Sequence, residues 1–201
     1  KFDPFPLFLA LEAAAPDLAA KGGRFHLVLC GQFRDPAWGP AFAAGAARLM
    51  PSVGYHHLDG GNADERKATL SGSDIFVFPI DNLQETFGLA PIEGMAAGLP
   101  ILASDWDGMK DTISPDVGFR VTTRSLSPQH LAAEALRHHG GIDTYHQYCA
   151  ATSAVTEIDQ PERVEPIELF TEADSVAGAF LSVVVTALSA GHTAQLEEHH
   201  R

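Results

Sequence analysis

The stretch QETFGLAPIEGMAAGLPILAS, residues 84–104, contains the pattern that decides the fold. A loop leads into a predicted helix at about 88–97, and Gly98 provides the usual glycine stop. The short apolar run 101–104 follows the helix and predicts a buried strand. The stretch is therefore typical of one turn of an alternating helix–strand fold.

The same alternation extends in both directions from this stretch. The sequence predicts strands at 25–31, 52–59, 74–79, 101–104 and 118–123. It predicts helices at 5–21, 40–50, 64–71, 88–97, 108–113 and 127–137. This order indicates an α/β, Rossmann-like fold in which helices cover both faces of a parallel sheet. Such sheets bind ligands at the carboxyl ends of their strands.

The last third of the chain has a weaker pattern. We expect one domain over 1–190, with an irregular insertion at 140–160, mainly helical structure at 165–190 and a polar tail at 191–201. Residues 175–195 contain no Asp, Glu, Lys or Arg, which raises the possibility of a membrane span. Nine of those positions are Ser, Thr, Gly, His or Gln, so a buried or half-buried terminal helix is the preferred prediction.

The bulk composition limits the class of protein and its partners. The chain has 201 residues, of which 45% are hydrophobic, enough for a substantial core. Its formal net charge of -13 argues against nucleic acid or an anionic membrane as a partner. Two cysteines form no disulfide framework, and no signal-peptide pattern opens the sequence, so we expect a cytoplasmic protein.

Glu85 and Glu93 are the candidate ligand-binding acids. The free backbone N–H groups at the start of the predicted helix favour an anion, and Gly88 allows close approach to the backbone. A carboxylate accepts hydrogen bonds well from two adjacent hydroxyls, as in a ribose or another sugar. Four apolar positions are predicted to anchor the helix on the sheet and leave both acids on the ligand side: Leu89, Ile92, Met95 and Ala96.

The stretch ETFGLAPIEGMAAGLPILAS (85–104) resembles the signature of family 4 retaining glycosyltransferases, or group 1 glycosyltransferases, which have the GT-B fold. The flanking segments LVLCG (27–31), SDIFVFP (73–79) and DWDGMKDTISPDVGFRVT (105–122) resemble the same family in the same order. The resemblance implies the carboxy-terminal, donor-binding half of such an enzyme. It covers the chain up to about residue 123 and weakens after 140.

This resemblance implies a role for each matching position. Glu85 would be the catalytic-site acid, binding hydroxyls of the donor sugar, and Glu93 would bind the ribose of the nucleotide. Gly31 and Lys1 would lie against the diphosphate, although Gly31 could be a plain turn glycine and Lys1 a solvated terminal residue. The backbone amides around four loop positions would hold the sugar and the diphosphate: Thr86, Phe87, Gly88 and Leu89.

The implied reaction is retaining, metal-independent transfer of a hexosyl group from a nucleotide-diphosphate sugar, such as a UDP- or GDP-sugar, without a cofactor. The family's preceding strand, with its arginine, and its acceptor-binding amino-terminal domain would lie before Lys1, so we expect this chain alone to be inactive. His56 and His57 are neighbours on a predicted strand and point to opposite faces, which argues against a shared metal. Two alternatives remain open: a nucleotide-sugar epimerase of the same fold, and a Rossmann-like binding module without catalysis.

Overall fold

The computed structural model describes residues 4–33, 35–80, 85–126, 130–158 and 182–189. The helices are α1 Phe5–Ala19, α2 Trp38–Leu49, α3 Ala63–Ser71, α4 Leu89–Ala96, α5 Met109–Thr112, α6 Ala132–His139 and α7 Tyr145–Ser153. The strands are β1 Gly23–Gly31, β2 Gly54–Asp59, β3 Ile75–Phe78, β4 Ile101–Ser104, β5 Gly118–Val121, β6 Thr123–Arg124, β7 Glu157–Ile158 and β8 Ser182–Ser189. The α/β alternation predicted up to residue 123 is confirmed, with boundaries shifted by a few residues.

The chain divides into two compact units. The larger unit contains the described parts of 4–78 and 89–101, together with β8. The smaller unit contains the described parts of 79–88 and 102–158. The chain passes from the smaller to the larger unit between Gly88 and Leu89, inside the stretch from which the fold was predicted.

The sheet of the larger unit has the strand order β2-β1-β8-β3. Strands β1 and β2 pair in parallel, with a register from His26 opposite Gly54 to Gly31 opposite Asp59. Strand β8 is antiparallel to both of its neighbours and lies opposite β1 with Cys30 facing Ser182. The sheet is therefore mixed, with an antiparallel strand inserted beside the predicted parallel pair.

Helices lie on both faces of this sheet, as the sequence predicts. Cys30 of β1 shares a recess with Thr69 of α3. Tyr55 of β2 packs edge-on against Phe8 of α1, with ring centroids 6.0 Å apart. Because Tyr55 pairs with Leu27, an odd number of positions from Cys30, α1 and α3 lie on opposite faces.

Helix α4 starts and ends where the sequence predicts. Pro91 occupies its first turn, where the missing N–H costs no helical hydrogen bond. Gly98 has a φ of 75°, and the amide of Leu99 donates to Gly94 O at 3.0 Å, so a left-handed glycine ends the helix. Gly94 sits against the sheet, where an added Cβ would lie 2.7 Å from Phe76 Cγ.

The smaller unit contains β4 and β5 as neighbouring strands, followed by α6 and α7. The amide of Asp105 donates to Val121 O at 2.7 Å, which ties the chain after β4 to the end of β5. Arg137, near the end of α6, makes a two-pronged contact with Asp143, with N···O distances of 2.7 and 2.8 Å. This contact holds the turn between α6 and α7.

One prediction for the last third of the chain is wrong within the described residues. Residues 182–189 form a strand, where mainly helical structure was predicted for 165–190, because a run of β-branched residues suits a strand between two others. The irregular insertion predicted at 140–160 contains the regular helix α7, which starts with a reciprocal cap between Thr144 and Gln147. The predicted cap at 127–128, the rest of 165–190 and the tail at 191–201 lie outside the described residues, and the domain limits remain a prediction.

Candidate functional site

Glu85 begins the described part of the loop before α4. Its side chain is half-buried, and its Oε1 accepts a hydrogen bond from the amide of Gly88 at 3.2 Å. Gly88 has a φ of 78°, a conformation that glycine adopts at little cost. The Gly88 amide, predicted to bind the donor, thus donates inside the loop and fixes the carboxylate over its own backbone.

The chain after β4 packs closely against this loop. Gly108 is buried, and a Cβ added there would meet the carbonyl oxygen of Thr86 and lie 2.6 Å from Phe87 Cα. Asp107, just before it, has a φ of 35°, which is uncommon outside glycine but more frequent for aspartate. Glycine at position 108 therefore allows backbone to approach backbone beneath the candidate sugar-binding residues.

A second contact fixes the end of β4 in the same unit. Ser104 is fully buried, and its Oγ donates to the carbonyl oxygen of Ile80. Asp105 pairs with Arg120 of β5 at 3.2 Å. The hydrogen bond satisfies the buried Ser104 hydroxyl, and together the two contacts give the loop after β4 a defined position.

The larger unit holds α4 and the second acid. The predicted apolar stripe is wrong, because Leu89 is 48% exposed, and Ile92, Met95 and Ala96 are half-buried. The buried face consists instead of three small or compact residues: Ala90, Pro91 and Gly94. These small residues let the helix lie close to β3. A search for large apolar side chains does not detect such a helix face. Phe87, in the smaller unit, is also exposed, at 54%.

Glu93 is half-buried and lines a recess on the α3 side of the sheet. The recess is lined by Cys30, Arg66, Thr69, Leu70 and Glu93. Burial raises the pKa of the Glu93 carboxyl, and the positive charge of Arg66 opposes that increase. Sequence reasoning missed Arg66, since an arginine on a helix with a polar face is usually solvated.

Gly31 has a packing role at the end of β1. A Cβ added at Gly60 would lie 2.6 Å from Gly31 Cα, and the Gly60 amide approaches Gly31 O at 3.3 Å. His57 Nε2 lies 3.1 Å from the same oxygen. The added Cβ that would clash is at Gly60, so both alternatives for Gly31, a plain turn glycine and a contact with a diphosphate, stay predictions. Lys1 lies outside the described residues.

The histidines of β2 have different partners, as expected from strand alternation. His56 Nε2 lies 3.1 Å from Nδ1 of His26, and the two rings stack with centroids 5.4 Å apart. Within the part of the chain that the structure describes, no three His, Cys, Asp or Glu residues are grouped as metal ligands. In the same part, no helix has both the length and the apolar character needed to span a bilayer.

A family model described as "Glycosyl transferases group 1" matches residues 7–139, more than half of the chain. The chain belongs to the group 1 glycosyl transferases. The match includes both glutamates, Gly31, Arg66 and Gly108.

Two relatives of this group 1 glycosyl transferase chain are similar in part of their length. A phosphatidyl-myo-inositol mannosyltransferase from Propionibacterium freudenreichii subsp. shermanii is 30% identical over 134 residues, which are 67% of this chain and 31% of that protein. The sulfoquinovosyl transferase SQD2 from Arabidopsis thaliana is 37% identical over 67 residues, 33% of this chain and 12% of that protein. The chain thus spans less than a third of the length of either relative.

Proposed function

We propose that this chain is the donor-binding part of a retaining glycosyltransferase that moves a hexosyl group from a nucleotide-diphosphate sugar to an acceptor. The observation that carries the proposal is Glu93, a half-buried carboxylate that shares a recess with the cation Arg66 within the family match. A partly buried, charge-balanced acceptor suits the paired hydroxyls of a ribose.

In this proposal, each candidate residue binds the part of the sugar nucleotide that its chemistry suits. Glu93 accepts hydrogen bonds from the ribose, and Glu85 accepts them from the transferred sugar. The amides near Thr86, Phe87 and Leu89 donate to phosphate oxygens. The Gly88 amide can do the same only after its hydrogen bond to Glu85 is broken. Lys1 and Gly31 lie along the diphosphate in this proposal.

The chemical step depends on stabilising the leaving group. As the glycosidic bond breaks, the nucleoside diphosphate gains negative charge, which N–H donors at the start of α4 and the Lys1 ammonium offset. No metal is needed when fixed donors and a cation supply this stabilisation, so we propose metal-independent transfer. Retention of configuration is proposed from the family alone.

The names of the two relatives are consistent with glycosyl transfer. One relative is named as a mannosyltransferase and the other as a sulfoquinovosyl transferase, and both names describe glycosyl transfer. We propose that the acceptor binds to a part of the enzyme outside this chain.

Calorimetry with UDP, GDP and a UDP-sugar tests the proposal on this chain. Saturable heat from one nucleotide supports donor binding, whereas no heat from any of them favours a binding module for another ligand. Assays on a longer protein that also contains the acceptor-binding part distinguish transfer from epimerisation. Acceptor-dependent release of nucleoside diphosphate indicates transfer, and isomerisation of the sugar nucleotide without release indicates an epimerase.

A further inference from the structure

The recess beside Glu93 is small and has both polar and apolar groups in its lining. Its volume is about 10 Å³, close to the space that one water molecule requires. It is lined by β1, α3 and α4, which contribute Cys30, Arg66 and Glu93 respectively, together with Thr69 and Leu70 of α3. All five residues belong to the larger unit.

Arg66 is anchored on one side of this recess. Its Nη1 donates to the carbonyl oxygen of Gly60, in the turn after β2. Its Nε is buried and has no hydrogen-bond partner among the residues described. An unpartnered, buried N–H of a charged side chain raises the free energy of the folded state, so the presence of Arg66 at this position calls for an explanation.

Arg66 and Glu93 act on each other across the recess. The ion pairs of the described residues do not include a direct contact between them, and the recess has room for a water molecule to link the two groups. The charge of Arg66 lowers the pKa of Glu93, whereas burial raises it.

The other titratable groups nearby leave this pairing intact. Burial raises the pKa of the Cys30 thiol, so the thiol stays neutral and adds no negative charge to the recess. Glu65, next to Arg66 on α3, accepts hydrogen bonds from the Asp59 amide and the Asn62 side chain. Arg66 is thus the cation that balances Glu93 within the recess.

We propose that Arg66 is a positioning residue for the nucleotide site, which keeps the Glu93 carboxylate ionised and in place as a hydrogen-bond acceptor. This inference rests on the proposed function, because it assigns Arg66 to the same nucleotide. An ionised carboxylate accepts on both oxygens, whereas a protonated one gives up part of that capacity. Arginine suits the role because it remains charged at every relevant pH.

Carbon-13 NMR titration of the Glu93 carboxyl in the ligand-free chain tests the pairing directly. In Arg66→Gln the midpoint is expected at higher pH than in the unaltered chain, because burial then acts without the opposing charge. Arg66→Lys should keep the midpoint near its original value. Lys67→Gln, which removes an exposed positive charge from the same helix, is the matched control and should leave the midpoint unchanged. An unmoved midpoint in Arg66→Gln overturns the inference.

Binding of UDP and GDP, measured at pH values on both sides of the two Glu93 midpoints that NMR gives, tests the consequence. Affinity is present above the Glu93 pKa and lost as pH falls through it, so at a pH between the two midpoints Arg66→Gln should bind roughly three- to tenfold more weakly, relative to its affinity at high pH, than the unaltered chain does. If nucleotides bind but the variant keeps the pH profile of the unaltered chain, the inference about Arg66 fails while the proposed function stands. If the unaltered chain binds neither nucleotide, the proposed function fails, and the NMR midpoint still decides the pairing. Loss of the folded circular-dichroism spectrum in both Arg66→Gln and Arg66→Met would assign Arg66 to stability and overturn the inference.

Discussion

Glu85 and Glu93 lie eight positions apart in the sequence but have different surroundings. Glu85 accepts a hydrogen bond from the backbone of its own loop, at Gly88. Glu93 shares a recess with a cation, and burial raises its pKa. Without a ligand, the first carboxylate therefore orders its own loop, and the second is balanced by a cation in the recess.

Gly108 provides a test of the loop that contains Thr86 and Phe87. Its φ of -60° suits any residue, so the expected penalty of Gly108→Ala is steric, from the Thr86 carbonyl and Phe87 Cα. We predict that this variant weakens binding of the nucleoside diphosphate roughly tenfold, the scale of one lost charged hydrogen bond. Binding of the bare nucleoside should stay the same. Titrations of both ligands measure the difference, and equal weakening of both would contradict the prediction.

Tyr55 provides a test of the larger unit's core. Its hydroxyl is buried without a hydrogen-bond partner among the described residues, and burial raises its pKa to about 12. We predict that Tyr55→Phe raises the free energy of unfolding by about 0.5–1 kcal/mol, because it removes an unpaired polar group.

The same tyrosine predicts a pH dependence in alkali. Burial disfavours the charged phenolate, so the folded pKa of Tyr55 lies above the unfolded value. The free energy of unfolding therefore keeps its full value below the unfolded pKa and decreases as pH rises toward about 12. Denaturant unfolding of both chains between about pH 9 and pH 11 measures this loss. An identical decline in the Phe variant would show that Tyr55 is not its source.

At the scale of single elements, α4 depends on Gly94 for its close approach to the sheet. We predict that Gly94→Ala destabilises the chain by roughly 1–2 kcal/mol, because the added Cβ overpacks against the Phe76 ring despite the better helix propensity of alanine. Thermal and denaturant unfolding measure the change. Gly39→Ala on α2 is the matched control, since its added Cβ would lie 3.5 Å from the Phe33 ring, at ordinary contact distance. A Gly94 variant as stable as the Gly39 control would refute the packing argument.

Local sequence signals predict the elements up to residue 123 well, because start and stop residues such as Pro91 and Gly98 act within a few positions. The strand β8 is not predictable in this way. Four successive β-branched residues, 183–186, favour a strand, but their place between β1 and β3 depends on pairing with residues over 100 positions away. The cap that starts α7 was a local signal that our sequence analysis missed.

The candidate site shows the same division between local and distant information. The Glu85–Gly88 contact joins residues three apart, within the segment that the motif predicts as a loop. The recess joins Arg66 and Glu93, which are far apart in sequence and belong to different helices. No spacing rule connects them, so Arg66 could be found only after the elements were placed.

At the scale of the whole molecule, the chain covers 31% of the length of its mannosyltransferase relative. The net charge of -13 opposes the long-range approach of an anionic sugar nucleotide. Hydrogen-bond donors at the site must therefore provide the attraction at short range. We predict that the purified chain transfers no sugar, because we propose that the acceptor binds to a part of the enzyme outside this chain. Release of nucleoside diphosphate above the enzyme-free background, in the presence of UDP- or GDP-sugars and acceptors, would contradict this prediction.

The central claim is that Glu93 accepts hydrogen bonds from the ribose of a bound nucleotide. Calorimetric titration of Glu93→Gln tests it, with Glu157→Gln as the control, since Glu157 is exposed on β7. The account predicts that Glu93→Gln weakens binding roughly ten- to hundredfold, equivalent to about 1.5–3 kcal/mol, and that it abolishes any preference for the ribonucleotide over its 2′-deoxy analogue. An unchanged dissociation constant, or a ribose preference that survives in Glu93→Gln, would contradict it.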